Sequence, residues 1–350
     1  MVIPKIYYNE TKDEWVVVHN ETESGAICFG DCKKGNCAGP LPCNNTGIFG
    51  GGEKSSYLRS IEYIIISTPG NAHLFGNLYE ERTALAATSN GTNDRGVFGG
   101  GKNDTLLNLL DKIIDYITIS TPGGAKFFGE LEHARQFLAA TSNGTNDRGV
   151  FGGGIYKTSG FMYNFRTIID YITISTLGSA RVFGNLSVIR DALGATSNGT
   201  NDRGVFGGGH NISNVDVSII DYITISTPGN ATNFGNLSRS RQLLAATSNG
   251  TNNRGVFSGG KQGHTILFTI DYITISTPSN ATKFGNLSVA RRSLAATSNG
   301  INDTGVFGGG EQNNTILSTI DYITISTPSN ATNFGNLSVA RENLAATSNA

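Results

Sequence analysis

DYITISTPGNATNFGNLSRSRQLLAATSNGTNNRGVFSGG, Asp221 to Gly260, is a unit that returns along most of this 350-residue chain at intervals of roughly 50 residues. Four elements keep their order. GIFGGG at 47–52 is followed by GVFGGG at 96–101, 149–154, 204–209 and 305–310, with GVFSGG at 255–260. A segment of the IDYITIST type starts at Ile61, Ile114, Ile169, Ile220, Ile270 and Ile320. A phenylalanine–glycine element starts at Phe75, Phe128, Phe183, Phe234, Phe284 and Phe334, and an arginine followed by LAATSN or a near copy closes each unit. IDYITIST sets Ile and Tyr against Thr and Ser with period two, the mark of a half-buried strand. Pro, Gly and Asn in TPGNAT and SNGTNDRG supply the reversals between strands.

We therefore read four strands per unit: a (LAATSN), b (GVFGGG), c (DYITIST) and d (ATNFGNL). Six such units of antiparallel strands predict an all-β, six-bladed propeller of four-stranded blades. Composition agrees, with 46 glycines, 38% hydrophobic and 15% charged residues, too apolar for a disordered chain and too glycine-rich for a helical one. The first unit starts at strand b, whereas the chain finishes on an a strand, Leu344–Asn349. Pairing that strand with Gly47–Gly52 would close the ring and remove two edges. The predicted domains are an arm, residues 1–43, and a propeller, residues 44–350.

The order arginine, LAA, an apolar run ending in GG, then an aromatic strand resembles the kelch motif and the galactose-oxidase-type propeller. The outer-strand tryptophan of kelch blades is absent, with Phe75, Phe128 and their equivalents in its place. The run DYITISTPGNATNFGNLS…LAATSNG…RGVFGGG is also similar to repeats in phage, viral and environmental surface or fibre proteins. The resemblance covers residues 44–350 and implies the fold; propellers host many functions. The copper and Tyr–Cys chemistry of galactose oxidase does not carry over, because the repeats contain no cysteine.

From the acidic residue of strand c to the next glycine of strand b the spacing is 34 residues throughout, whereas from that glycine to the next acid it is 15, 19, 21, 17, 16 and 16. All length variation thus falls in the b–c connection. An up-and-down blade puts b–c and d–a connections on one face, so the variable loops should cluster there as a recognition surface, or drift there unconstrained. Tyr156, Phe161, Tyr163, Phe165 and His210 are the loop residues suited to stacking on a sugar.

The chain also holds 18 Asn-x-Ser/Thr triplets. Asn90, Asn143, Asn198 and Asn249 fall in the a–b turn, Asn230, Asn280 and Asn330 in the c–d turn, and Asn185, Asn236, Asn286 and Asn336 in strand d. Turn chemistry and duplication explain many of them; in a cell with N-glycosylation they would be acceptors.

Five histidines share no repeat position, and the NGTND turn lacks the acid density of a calcium loop, so no cofactor or metal is expected. The repeated acid (Asp115, Asp170, Asp221, Asp271, Asp321) and arginine (Arg135, Arg190, Arg241, Arg291, Arg341) point to structural pairs, since a catalytic site is unique while a blade lock repeats. Cys28, Cys32, Cys37 and Cys43 sit together before the first repeat. Two disulfides of three possible connectivities, a zinc site or free thiols are all open; the even, local cluster favours disulfides, since the spacing lacks the paired C-x2-C hooks that grip zinc, and disulfides would point to an oxidising, extracellular setting. KIYYNETKDEWVVVHN predicts a hairpin that folds on its own propeller or adds to a neighbour. A net charge of -1 gives no reason to expect nucleic acid, and no apolar run is long enough to insert in a membrane.

The expectation is a non-enzymatic extracellular or virion-surface structural protein, self-associating into a fibre or coat through the arm. The alternative is an adhesin binding a receptor or cell-surface glycan through the b–c loops.

Overall fold

The computed structural model describes residues 5–9, 14–18, 41 and 45–348, except 90, 92–93, 104–110, 145, 158–162, 166, 200, 249, 251–252 and 300–301. The four cysteines, Asn90, Asn249 and Phe161 lie outside the described residues.

Six four-stranded antiparallel sheets carry residues 46–348, each in the order a, b, c, d. In blade 5 these are Ala245–Thr247, Arg254–Ser258, Thr269–Thr274 and Thr282–Asn286. Blade 1 is composite. The C-terminal strand Ala345–Ser348 pairs with Thr46–Gly50 in the register Gly47↔Ser348 to Gly50↔Ala345, so the ring closes as the terminal a strand predicts.

Strand b ends one residue after its phenylalanine, earlier than the GVFGGG run suggests. The last two glycines take positive φ, +63° and +93° at Gly259 and Gly260, and turn the chain out of the blade. A side chain there would be strained, which is why the pair is invariant among the six units. The glycine of the FGN element has a different reason. A Cβ on Gly235 would come within 2.2 Å of the Ser279 carbonyl oxygen in the next blade, and the last blade repeats this with Gly335 against Gly70 of the first.

Apolar side chains meet between blades rather than at one centre. The strand b phenylalanines, Phe49, Phe98, Phe151, Phe206, Phe257 and Phe307, are fully buried. At five of the six seams the ring lies over the glycine that follows the phenylalanine of the preceding blade, as Phe151 does over Gly99. At strand d, Tyr222 and Phe234 meet edge to face at 6.0 Å, an arrangement present in all six blades. The outer-strand phenylalanine thus occupies the blade core.

In the N-terminal segment, Lys5–Asn9 and Glu14–Val18 form the expected antiparallel hairpin. Leu41 belongs physically to the ring. It is buried in the seam between blades 1 and 2, among Ile48, Phe98 and Ile119, and its N–H donates to the Ser120 carbonyl at 2.8 Å.

Candidate binding face

Two hydrogen-bonded features fix which loops share a face. After the strand b glycine pair, Lys102 exchanges backbone hydrogen bonds of 2.9 and 3.0 Å with Thr83 of the d–a connection. The same bridge joins Gln136 to Ile155, Asp191 to His210, Gln242 to Lys261, Arg292 to Glu311 and Glu342 to Glu53. The b–c and d–a connections therefore meet on one face. On the other, the a–b residue Asp202 accepts the N–H of Ser226 in the c–d turn at 3.0 Å, and Asp147 does the same for Ser175.

The variable face surrounds the channel mouth. Its floor is a closed ring of six backbone hydrogen bonds: Ala84 donates to Asn343, Phe137 to Ala84, Ala192 to Phe137, Leu243 to Ala192, Ser293 to Leu243 and Asn343 to Ser293, at 2.8 to 2.9 Å. All six residues have positive φ, between 52° and 56°. These are six non-glycine residues in a strained conformation, held because each N–H has one partner that the ring alone supplies. Nothing in the varied side chains at this position signals it.

Above that ring the bridged residues differ from blade to blade, so the mouth is electrostatically uneven. Glu53, Glu311 and Glu342 gather at the junction of blades 6 and 1, with Arg292 paired to Glu311. Burial, then the carboxylates of Glu53 and Glu311, pushes Glu342 up. On the far side Asp191 is pushed up to about 7 by burial, with His210 Nδ1 3.9 Å from its Oδ1. Among the described residues no group of His, Cys, Asp or Glu has the arrangement of a metal site.

Of the residues expected to bind sugar, Tyr156 and His210 are half-buried on this face. The backbones of Tyr163 and Phe165 pair with Lys157 and Ile155, so the blade 3 loop projects as a hairpin. Shorter hairpins follow in blade 5, 261–262 with 265–266, and in blade 6, 311–312 with 315–316.

The acid–arginine candidates come together as pairs with both side chains fully buried. Arg135 meets Asp170 at 2.8 Å, Arg190 Asp221 at 2.9 Å, Arg241 Asp271 at 2.7 Å and Arg291 Asp321 at 3.0 Å, while Arg82 contacts Asp115 and Arg341 contacts Glu62. A bulge at each acid interrupts the c–d ladder and re-aims its side chain into the seam. Asp271 also accepts the N–H and hydroxyl of Ser238 at the end of the preceding blade's strand d, and Arg241 Nη1 reaches the Thr269 carbonyl at 2.8 Å. Burial pushes Asp115 and Asp170 up against the pull of their arginines, and lowers Arg190, Arg241 and Arg291 against the pull of their acids. The guanidinium stays charged, and the pair with it, because arginine does not deprotonate in proteins.

Two further sets of residues lock the seams. Arg203 of the SNGTNDRG turn stacks 4.6 Å from the Tyr222 ring centroid and donates to the Ile275 carbonyl of the next blade at 2.8 Å. Arg95, Arg148 and Arg254 do likewise. The sequence offers this arginine only as a turn residue; its absence from the two units bearing Thr46 and Thr304 was the available clue. The asparagines of the c–d turn form the second set. Asn230 Oδ1 accepts the Asn185 N–H at 3.0 Å, Asn280 that of Asn236 at 3.0 Å, and Asn330 that of Asn286 at 3.1 Å.

Comparison with protein-family models and with curated proteins finds no match to this chain.

The glycosylation candidates divide by exposure. Asn143 and Asn198 are each 2% exposed, with Asn143 Nδ2 donating to Asp202 Oδ1 at 3.2 Å, so the closed ring leaves no room for a glycan on either. Asn185, Asn230, Asn236, Asn280, Asn330 and Asn336 are exposed on the outer rim and Asn286 is half-buried. Since the three turn asparagines bond through Oδ1, their Nδ2, the atom a sugar would take, is not needed for the latch.

Proposed function

We propose that the chain is a non-enzymatic structural subunit of an extracellular or virion-surface fibre or coat. It is a kelch-like propeller that self-associates through its N-terminal arm, with rim asparagines glycosylated where the producing cell has that machinery. The observation that carries this reading is where the repeated chemistry goes. Every repeated acid–arginine pair is consumed in a seam with its polar atoms turned inward, which is the economy of a scaffold. Electron microscopy of the purified protein tests it: filaments or sheets are expected, and only isolated rings would overturn it. Intact mass adds a separate check on the sugar, since a mass equal to the bare 37.0 kDa from a glycosylating host removes the glycoprotein part.

The uneven mouth favours a second reading, a receptor- or glycan-binding adhesin acting through the b–c loops. Tyr156 and His210 on that face, beside a projecting hairpin, are its support. Glycan-array binding by discrete particles would favour it over the coat.

A further inference from the structure

The c–d turn opens with Ser-Thr-Pro in five blades, the prolines being Pro69, Pro122, Pro228, Pro278 and Pro328. Blade 3 alone has leucine there, Leu177, and four residues later it has Arg181 where blades 4, 5 and 6 have threonine. Both changes border one cleft. Strand c and the c–d turn of blade 3 enclose about 350 Å³, near the lower end of the volumes that hold small ligands. Tyr171 lies in its wall. Arg148 stacks on that ring, 4.7 Å from its centroid, and Arg181 is the cross-strand partner of Tyr171 on strand d, so two arginines border one aromatic side chain. Arg148 donates from Nη1 to the Ile225 and Ser226 carbonyls at 2.9 and 2.7 Å and is in no ion pair among the described residues. Arg181 is exposed, and among the described residues its side chain has neither a hydrogen-bond partner nor an ion pair. No carboxylate lines the cleft. Acids on the flanking elements are turned to partners of their own: Asp147 accepts the Ser175 N–H at 3.0 Å, Asp202 that of Ser226 at 3.0 Å, and Glu130 pairs with Lys112 at 2.6 Å.

The loss of proline adds a second kind of donor. Proline has no N–H; Leu177 has one, and among the described residues it is bonded to nothing. The amides on either side are taken, Thr176 donating to the Thr173 carbonyl and Gly178 to the Phe128 carbonyl, both at 3.1 Å. A single exposed arginine would be read as a solvated charge. Here a free guanidinium, a second arginine and a free amide converge on one concavity, in the one blade that breaks the turn.

We infer that this cleft binds a sugar bearing an oxyanion, its carboxylate or sulfate held by Arg181, Arg148 and the Leu177 N–H. A planar guanidinium fork matches the two oxygens of such a group, and a backbone N–H aimed at the same charge shortens and strengthens the contact. The sugar is chosen by the rest of the lining. Thr173, Thr176 and Ser179 bring hydroxyls to the cleft, and Leu177, 52% exposed, brings an apolar face. Ring hydroxyls and C–H faces fit that mixture, whereas a bare inorganic anion would fill a small part of the space. The site lies on the c–d side of the blade, away from the b–c loops, so it goes beyond both the coat and the adhesin readings and depends on neither.

The test is an NMR titration of the labelled full chain with glucuronate, a sulfated glucose, glucose and sodium sulfate. Both charged sugars should move the Leu177 amide and Arg181 Nε–H signals saturably. Glucose should leave them in place, and sulfate should bind at least tenfold more weakly than either charged sugar. Arg181→Thr installs the residue of blades 4, 5 and 6 and so spares the fold; it should weaken glucuronate at least tenfold. Arg181→Lys keeps the charge without the fork and should fall between. Leu177→Pro restores the turn of the other five blades, removes the N–H, and should weaken binding by about three- to tenfold. Signals unmoved by the charged sugars, glucose binding as well as glucuronate, or Arg181→Thr binding like the parent would each overturn the inference. Sulfate binding as tightly as the charged sugars would overturn its sugar half. The coat reading is judged by microscopy and stands or falls separately from all of these.

Discussion

Arg241 and Asp271 are both without solvent exposure, 2.7 Å apart, and tied to the Thr269 carbonyl and the Ser238 hydroxyl. Removing one charge strands the other in a medium that cannot solvate it. Arg241→Met is therefore expected to cost about 3–5 kcal/mol in denaturant unfolding. Adding Asp271→Leu to it should recover most of that loss, since no buried charge is then left alone. A double variant as unstable as the single would refute the reading of the pair as a matched seam lock. Ser258 is the smaller case. Five blades have glycine where this one has a fully buried hydroxyl without a partner. Ser258→Gly should raise stability by on the order of 1 kcal/mol, the unpaired hydroxyl outweighing the entropy of glycine. Asp191 gives a pH dependence. Its folded pKa of about 7 lies above the unfolded value of 3.8, so its contribution is full below 3.8 and is lost as pH rises through 7. Asp191→Asn, neutral throughout, should gain about 1–3 kcal/mol over the parent at pH 8 and little at pH 3.5. Thermal melts at the two pH values read the difference, and an equal effect at both would exclude the buried acid as its source.

At the scale of elements, strand identity and order were legible because period-two alternation and turn residues recur in six registers. The closing a strand was legible from the missing one at the start. Strand ends were less so: GVFGGG reads as one run, but the φ of +69° and +111° at Gly208 and Gly209 is a property of the turn that composition does not separate from strand packing. The face holding the variable loops followed from spacing alone, and the bridges such as Asp191 to His210 place it there. The αL ring was not legible, because Ala84, Phe137, Ala192, Leu243, Ser293 and Asn343 share a backbone state and no chemistry. Nor was the burial of Asn143 and Asn198, which looks like any exposed turn asparagine until the a strands converge on the axis. The ring makes its own prediction. Asn tolerates positive φ better than a larger residue does, so Phe137→Asn and Leu243→Asn should leave the fold intact and cost less than about 1 kcal/mol each. Proline at either position removes the N–H and should cost more than about 3 kcal/mol.

For the whole molecule, closure is the property on which the others depend, because every seam is an interface between blades and a six-membered ring has no spare one. The terminal strand contributes four residues of ladder to Gly47–Gly50, the Leu344 side chain in the last seam, and the Asn343 member of the backbone ring. Losing a buried leucine costs about 2–5 kcal/mol, and each ladder bond adds on the order of 1 kcal/mol. Together these approach the 5–15 kcal/mol that holds a typical domain folded. Truncation before Asn343 should therefore abolish the single cooperative transition or lower it by tens of degrees, rather than fray one blade. The exposed Thr46–Gly50 edge should bind a synthetic peptide of the sequence Glu342–Asn349 and regain the transition with it. Calorimetry with and without the peptide decides the matter. A truncated chain that melts within a few degrees of the parent would mean that the blades stand as independent neighbours, and that the seams, ion pairs included, carry far less of the stability than their burial indicates.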